Sequence, residues 1–344
     1  MSPPLRPSPP PAPSCAFARI EAAVGNTPLA HISLTWLGLP VEIFAKAEMY
    51  NLSGSIKDRM ALGILRSAYA SGALRPGQPI AEATSGNAGI ALAAIGGALG
   101  HPVVIYMPDW MSMERRQLIA SYGAEVRLVS REQGGFLGSI AAAERLGAET
   151  GHFLPRQFCN EDNCRAHADG TLPELWAQME RLGARPDAFV AGVGTGGTVM
   201  GAAHFLRAMD PRIPVHPVEP ASSPTLSTGH KVGHHRMQGI SDEFIPEIVR
   251  LEELSEIIAV DDGDAILMAQ RLGRELGLGV GISSGGNVLA AVKAAALLGN
   301  GARVATVLAD SHMKYLSTDL MRDEPVKPGY LTPDIAFEQL AIRH

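Results

Sequence analysis

The chain is poor in several things, and each shortage excludes something. It has only three cysteines, Cys15, Cys159 and Cys164. Three cannot build a disulfide framework, and an odd count suits a reducing compartment, so a cytoplasmic location is expected. No apolar run reaches the ~18 residues of a membrane span, because glycine, proline and charges interrupt every candidate. Basic residues do not dominate: 29 Lys and Arg stand against 35 Asp and Glu, a net charge of −6. A nucleic-acid binder would need a dense basic face. The Gly-Lys-Ser/Thr of a nucleotide phosphate loop is also missing.

What is present is glycine, 37 of 344 residues, against about 7% in an average protein. Proline crowds the start, with seven of the 25 between Pro3 and Pro13. Residues 1–15 are therefore expected to be a disordered polyproline-type tail, dispensable for chemistry. With 46% hydrophobic residues, the rest can bury a large core.

From Ala16 onward short β-branched runs alternate with longer Ala/Leu-rich stretches. Strands are expected at Val41–Ala45, Val103–Met107, Glu125–Val129, Phe189–Val193, Val215–Val218, Ile257–Val260 and Val304–Leu308. Helices are expected at Asp58–Ser71, Gly89–Gly97, Met113–Tyr122, Thr198–Met209, Asp264–Leu276 and Gly286–Leu298. Such alternation predicts an α/β fold of βαβ units, with two twisted, mostly parallel sheets flanked by helices.

Glycine collects where a strand hands over to a helix. Ile80–Ala83 runs into Thr84-Ser85-Gly86-Asn87-Ala88-Gly89, and Phe189–Val193 runs into Gly194-Thr195-Gly196-Gly197-Thr198. Leu278–Ile282 runs into Ser283-Ser284-Gly285-Gly286-Asn287. Each loop offers close backbone approach beside uncapped helix N–H groups, the makings of an anion site. Turns favour Gly, Ser and Thr for geometry alone, so one such loop would mean little; three in one chain mean more. The match of Gly192–Gly197 to G-x-G-x-x-G is weak, because its first residues sit inside the strand, and an anion smaller than a dinucleotide is the better fit.

Lys57 stands out in Asn51-Leu52-Ser53-Gly54-Ser55-Ile56-Lys57-Asp58-Arg59. At a helix start the dipole disfavours an ammonium and makes the amine more nucleophilic. Taken alone, such a residue is better read as a solvated surface lysine. The string, however, resembles the lysine segment of fold-type II pyridoxal-phosphate (PLP) enzymes, specifically the cysteine synthase (O-acetylserine sulfhydrylase) family. The three loops resemble that family's substrate-carboxylate, cofactor-phosphate and pyridine-nitrogen segments. Glu114-Arg115-Arg116, Gln157-Phe158, Gln238-Gly239-Ile240 and Tyr315-Leu316-Ser317-Thr318 extend the likeness in unbroken order.

The resemblance implies a tryptophan-synthase-β-like fold. A large PLP-binding domain would comprise 16–48 and 160–325, a small mobile domain 49–159, and a C-terminal tail 326–344. It implies that Lys57 carries PLP and then acts as base on the substrate Cα proton. Asn87 would bind the cofactor's 3′ oxygen, Gly194, Thr195, Gly196, Gly197 and Thr198 its phosphate, and Ser283 its pyridine nitrogen. Thr84, Ser85, Asn87 and Gln157 would hold the substrate carboxylate. The implied reaction makes L-cysteine from O-acetyl-L-serine and sulfide through an aminoacrylate. A homodimer and docking of the serine acetyltransferase that makes the substrate are implied as well. The alternative is cystathionine β-synthase or a diaminopropionate-type synthase, with another nucleophile.

Departures from the family touch specificity. Ala88 stands where Thr is usual, Leu52 where Pro is common, and Asp310-Ser311-His312-Met313-Lys314 replaces an acidic-Gly-Glu/Asp-Arg run. Three further clusters read as structural. Cys159, Cys164 and His167 have a spacing a metal could use but no fourth ligand, so no metal is expected. His230, His234 and His235 read as a loop of the large domain. Asp261-Asp262-Gly263-Asp264 reads as a helix cap.

Overall fold

Among the described residues the apolar runs pair into ten strands: β1 (Leu29–Trp36), β2 (Leu39–Ala47), β3 (Ile80–Ala83), β4 (Val103–Pro108), β5 (Glu125–Val129), β6 (Ala188–Gly192), β7 (Val215–Pro220), β8 (Ile258–Val260), β9 (Arg303–Leu308) and β10 (Ile335–Arg343). The computed structural model describes residues 13–241 and 243–344. The expected proline-rich tail thus lies outside the described residues up to position 12, and its last residues open α1 (Pro13–Glu21). The other helices are α2 (Lys57–Ser71), α3 (Asn87–Ala98), α4 (Met113–Ser121), α5 (Gly135–Thr150), α6 (Asp162–Ala166), α7 (Leu172–Arg181), α8 (Gly197–Met209), α9 (Thr225–Thr228), α10 (Asp262–Leu276) and α11 (Ile282–Leu298).

The strands form two sheets, as the alternation predicts. The larger runs β10-β1-β2-β9-β6-β7-β8 and the smaller β3-β4-β5. The small sheet is wholly parallel. In the large one, β2-β9, β9-β6, β6-β7 and β7-β8 are parallel, and β1 pairs antiparallel with β2 and β10. Strands such as β7 are buried along their whole length, because helices cover both faces of a parallel sheet and leave no solvent side to alternate toward.

Alternation along β2 and β6 divides the large sheet's packing. Val41, Ile43 and Val190 face Leu289 and Val292 of α11, while Phe44 and Phe189 face Leu175 of α7 and Met200 of α8. The small sheet has its own core, where Ile105 and Met107 meet Ile64 of α2 and Ile90 of α3.

Three expectations need correction. Residues 326–344 are not a tail: β10 completes the large sheet along β1, from Leu29↔Arg343 to Trp36↔Ile335. Only Ile335 of the strand is buried, as suits a sheet edge, and Glu338-Gln339 interrupt the alternation by which a strand is recognised. Ala16, Ile20 and Val24 pack in the small sheet's core instead of joining the large sheet. Leu278–Ile282 is not a strand either. After the left-handed cap at Gly277, only Val280 makes a bridge, to Ser311, before α11 begins.

Candidate active site

Lys57 is the first residue of α2, and the chain before it is tied to the end of β9. Ile56 N–H donates to the Ala309 carbonyl at 2.9 Å, and Ser55 bridges Asp310. Ser53 donates through N–H and hydroxyl to the Asp58 carboxylate at 2.8 and 2.5 Å. Two residues on, Arg59 donates to Glu48 at 2.6 Å and Glu174 at 2.7 Å. Burial opposes the carboxylate of Glu174, but Arg59 and Lys46 outweigh it and hold the group down at about 2. Together these bonds fix where the Lys57 amine starts.

The loop after β3 is shaped by two glycine-related constraints. Gly86 has φ +154°, and a Cβ there would lie 2.3 Å from Cδ of Arg115. Its N–H donates to the Thr84 hydroxyl at 3.0 Å. Asn87, opening α3, donates from Nδ2 to Asp310 at 2.6 Å and accepts at Oδ1 from Lys314 at 3.0 Å. Gln157 donates from Nε2 to the Ala83 carbonyl at 2.8 Å. Beneath it lies Glu82, fully enclosed, where loss of solvation outweighs the N–H groups of Ala83 and Gln157 and raises its pKa to about 7.

In a second loop, between β6 and α8, the glycines have no room for a side chain. A Cβ on Gly194 would sit 2.3 Å from the Gly239 carbonyl oxygen, and one on Gly197 would sit 1.9 Å from Oδ1 of Asn163. Gly196 caps α8 at φ +90°. Asn163, on α6, donates to the Gln157 carbonyl and the Thr195 hydroxyl, both at 2.9 Å, while its own Oδ1 has no partner. His167, in a π-helical turn over His167–Thr171, bonds Thr171 at 2.9 Å and approaches the Thr198 hydroxyl at 3.5 Å. Burial, and then the charges of Lys57 and Arg59, push its pKa well down. Such turns recur at functional sites.

Ser283 lies in the first turn of α11, whose start is pinned when Asn287 accepts from Gly192 N–H and donates to the Val307 carbonyl, both at 2.8 Å. Lys57, Thr84, Ser85, Asn87, Gln157, Gly194, Thr195, Thr198 and Ser283 then line one cavity of about 60 Å³. Gly196 and Gly197 shape the loop from behind that lining. Ala88, where the resemblance leads one to expect threonine, lines it too. Ser85, Gln238, Gly239 and Ile240 are shared with an outer cleft of about 670 Å³, walled by Trp110, Arg131, Lys231 and His235. Lys231 pairs there with Glu243 at 3.0 Å.

The sequence reading did not assign Arg115, Asn163, His167, Asp310 or Lys314 to the site. Four stand out in the sequence for other reasons: His167 for its spacing from Cys159 and Cys164, Asp310 and Lys314 within a departing segment, and Arg115 within the Glu114-Arg115-Arg116 motif. Among the described residues Cys159 is exposed and Cys164 buried, and no group of three or more His, Cys, Asp or Glu could hold a metal. Asp261 caps α10 by accepting from Gly263 N–H at 2.8 Å, as its position suggested. No helix of the described residues is long and apolar enough to cross a membrane.

Known proteins resemble this chain over most of its length. Residues 20–310 match the family described as pyridoxal-phosphate-dependent enzyme. A cysteine synthase of Staphylococcus aureus is 40% identical over 301 residues, 88% of this chain and 96% of that protein. The crystal structure of a hydrogen sulfide-producing enzyme from Fusobacterium nucleatum is 49% identical, with a TM-score of 0.93 over 96% of this chain and all of that one. An O-ureido-L-serine synthase structure is 35% identical, with a TM-score of 0.82 over 91% of this chain and 98% of its own.

Proposed function

This chain belongs to the family of pyridoxal-phosphate-dependent enzymes, and on that premise we propose that it catalyses β-replacement on a β-substituted L-serine, forming L-cysteine from O-acetyl-L-serine and sulfide. The observation that carries the reading is the meeting, in one cavity, of Lys57, a glycine-rich cradle at the start of α8 and the Thr84–Asn87 loop.

The residues present fit the cofactor. Glycines 194 and 197 lie where a Cβ would strike backbone or the Asn163 amide within 2.3 Å, so N–H groups and the Thr195 and Thr198 hydroxyls are what the loop can offer a phosphate. PLP supplies the electron sink that acidifies the substrate Cα proton and lets the β-substituent depart. Lys57 holds the cofactor and, released by the incoming amino acid, takes the Cα proton. Asn87 would offer its remaining amide N–H to the cofactor's 3′ oxygen. Ser283 would meet the pyridine nitrogen; a hydroxyl there, unlike a carboxylate, would not enforce ring protonation, which suits prompt loss of a β-leaving group. Thr84, Ser85 and Gln157 bind the substrate carboxylate, and closure of their loop excludes water.

The relatives include cysteine synthases of similar length. A small lobe around β3–β5, a homodimer, docking of the acetyltransferase that makes the donor, and a cytoplasmic setting complete the reading. A second reading keeps the site and uses a thiolate as leaving group, releasing sulfide from L-cysteine. It is favoured by the 49% identity to the hydrogen sulfide-producing enzyme.

Donor and nucleophile are tested by giving the holoenzyme O-acetyl-L-serine with sulfide, and separately L-cysteine. Faster cysteine formation in the first supports synthesis; faster sulfide release in the second supports the thiolate reading. Lys57→Ala should abolish the visible absorbance of covalently held cofactor together with turnover. A yellow, active variant would overturn both readings.

A further inference from the structure

Arg115, near the start of α4, is 1% exposed. A guanidinium stays charged in a protein, and arginine is almost never so deeply buried without a paired acid. Yet its partners here are neutral. Its terminal nitrogen donates to the Ser85 carbonyl at 3.3 Å and to Oε1 of Gln238, and its plane lies 4.8 Å over the Tyr315 ring. Nε is buried with no hydrogen-bond partner. Asp310, the acid on this side of the cavity, is engaged by the Tyr315 hydroxyl and by Asn87, both at 2.6 Å. Lys314, the other buried cation beside it, has Asp310 and Asp58 to oppose its charge.

The position of this buried guanidinium, which forms no ion pair with a described residue, is specific. Arg115 lines the same cavity as Lys57, Thr84, Ser85 and Gln157. The Thr84–Asn87 loop is folded around its stem, since any Cβ on Gly86 would lie 2.3 Å from Cδ and 2.7 Å from Nε. A planar guanidinium offers a fork of N–H donors matched to a carboxylate. The cofactor phosphate has a cradle of its own on α8, and hydrosulfide has no pair of oxygens, indeed no oxygen at all, for a fork to meet.

We infer that Arg115 is the counter-charge for the α-carboxylate of the amino-acid substrate, acting beside the donors of the Thr84–Asn87 loop and Gln157. The inference rests on the amino-acid reading of the site given above.

The test uses two probes that carry no β-leaving group: L-alanine, and L-alaninamide, which lacks the carboxylate. Each is titrated into the holoenzyme, and binding is followed by the change in visible absorbance of the bound cofactor. Wild type should bind L-alanine more tightly than L-alaninamide. Arg115→Gln should weaken L-alanine about 10- to 100-fold, the range of one charge-assisted hydrogen bond, and leave L-alaninamide unchanged. If Arg115→Gln does not fold or load cofactor, Arg115→Lys is read the same way: it keeps the charge and loses the fork, so L-alanine should weaken more than L-alaninamide. Equal weakening of both probes, or no weakening of L-alanine, would overturn the assignment of Arg115 alone. Failure of the wild type to prefer L-alanine would overturn the amino-acid reading, and this inference with it.

Discussion

Lys314 donates to the side-chain oxygen of Asn87 at 3.0 Å across 227 positions of sequence. On the opposite side the Asn87 amide nitrogen donates to Asp310 at 2.6 Å. An amide held at both ends cannot flip, so the one N–H left over has a set direction. Asp310 is itself fixed by the Tyr315 hydroxyl. The departing segment after β9 thus builds a clamp on a residue from the small sheet's side of the cavity.

Replacing Lys314 by methionine should release that clamp. The bound cofactor's resting absorbance is expected to shift and kcat to fall about tenfold, or ~1.4 kcal/mol, with Lys314→Arg recovering part of both. The melting temperature should also fall, because breaking a buried charge set is destabilising. A Lys314→Met enzyme with the wild-type spectrum and kcat would show that the clamp does not orient Asn87.

Gly197→Ala places a methyl 1.9 Å from Oδ1 of Asn163. Asn163 must move and give up its bonds to Thr195 and the Gln157 carbonyl. Cofactor affinity, measured by equilibrium dialysis of the apoenzyme, should drop at least about tenfold, as one lost charge-assisted contact implies. Gly273→Ala is the control. It lies inside α10 with nothing nearer than 3.9 Å to the new methyl, and should raise stability by about 0.5–1 kcal/mol without touching affinity.

Glu82 makes stability depend on pH in a defined direction. Its carboxyl is pushed from 4.5 to about 7 by burial, so between those values the folded protein holds a proton that the unfolded chain has lost. Stability therefore falls as pH rises through that window and levels off above it. Denaturant unfolding from pH 4.5 to 8 should show wild type losing roughly 3 kcal/mol relative to Glu82→Gln. Parallel profiles for the two proteins would exclude the effect.

Much of the site was readable beforehand because its chemistry is local. The three glycine-bearing loops carry their own signals: small residues where backbone must come close, and hydroxyls or amides beside a helix start. What escaped notice is long-range. Arg115 and Gln238 meet across 123 positions, and no pattern within a window of the chain reports that. The run at Leu278–Ile282 is short and apolar, and such a run reads alike as a strand or as a buried approach to a helix. β10 escaped because Glu338-Gln339 break its apolar alternation and only Ile335 is buried.

Deleting residues 335–344 tests that strand directly. β1 would lose its partner from Leu29 to Trp36, and its freed N–H and C=O groups would form an open edge. The truncated protein should melt several degrees lower and self-associate in a concentration-dependent way, seen by light scattering. Unchanged melting and a monodisperse sample would mean that β10 contributes little.

The two attachments of α2 have a mechanical consequence. Its body is embedded with Ile64 and Leu65 in the small sheet's core, while its first turn is tied to the large sheet through Ile56, Arg59 and Glu174. Lys57 therefore stands at a fulcrum. A rocking of the small sheet would swing the Thr84–Asn87 loop through an arc while the amine stayed near the pivot, at constant reach of the α8 cradle.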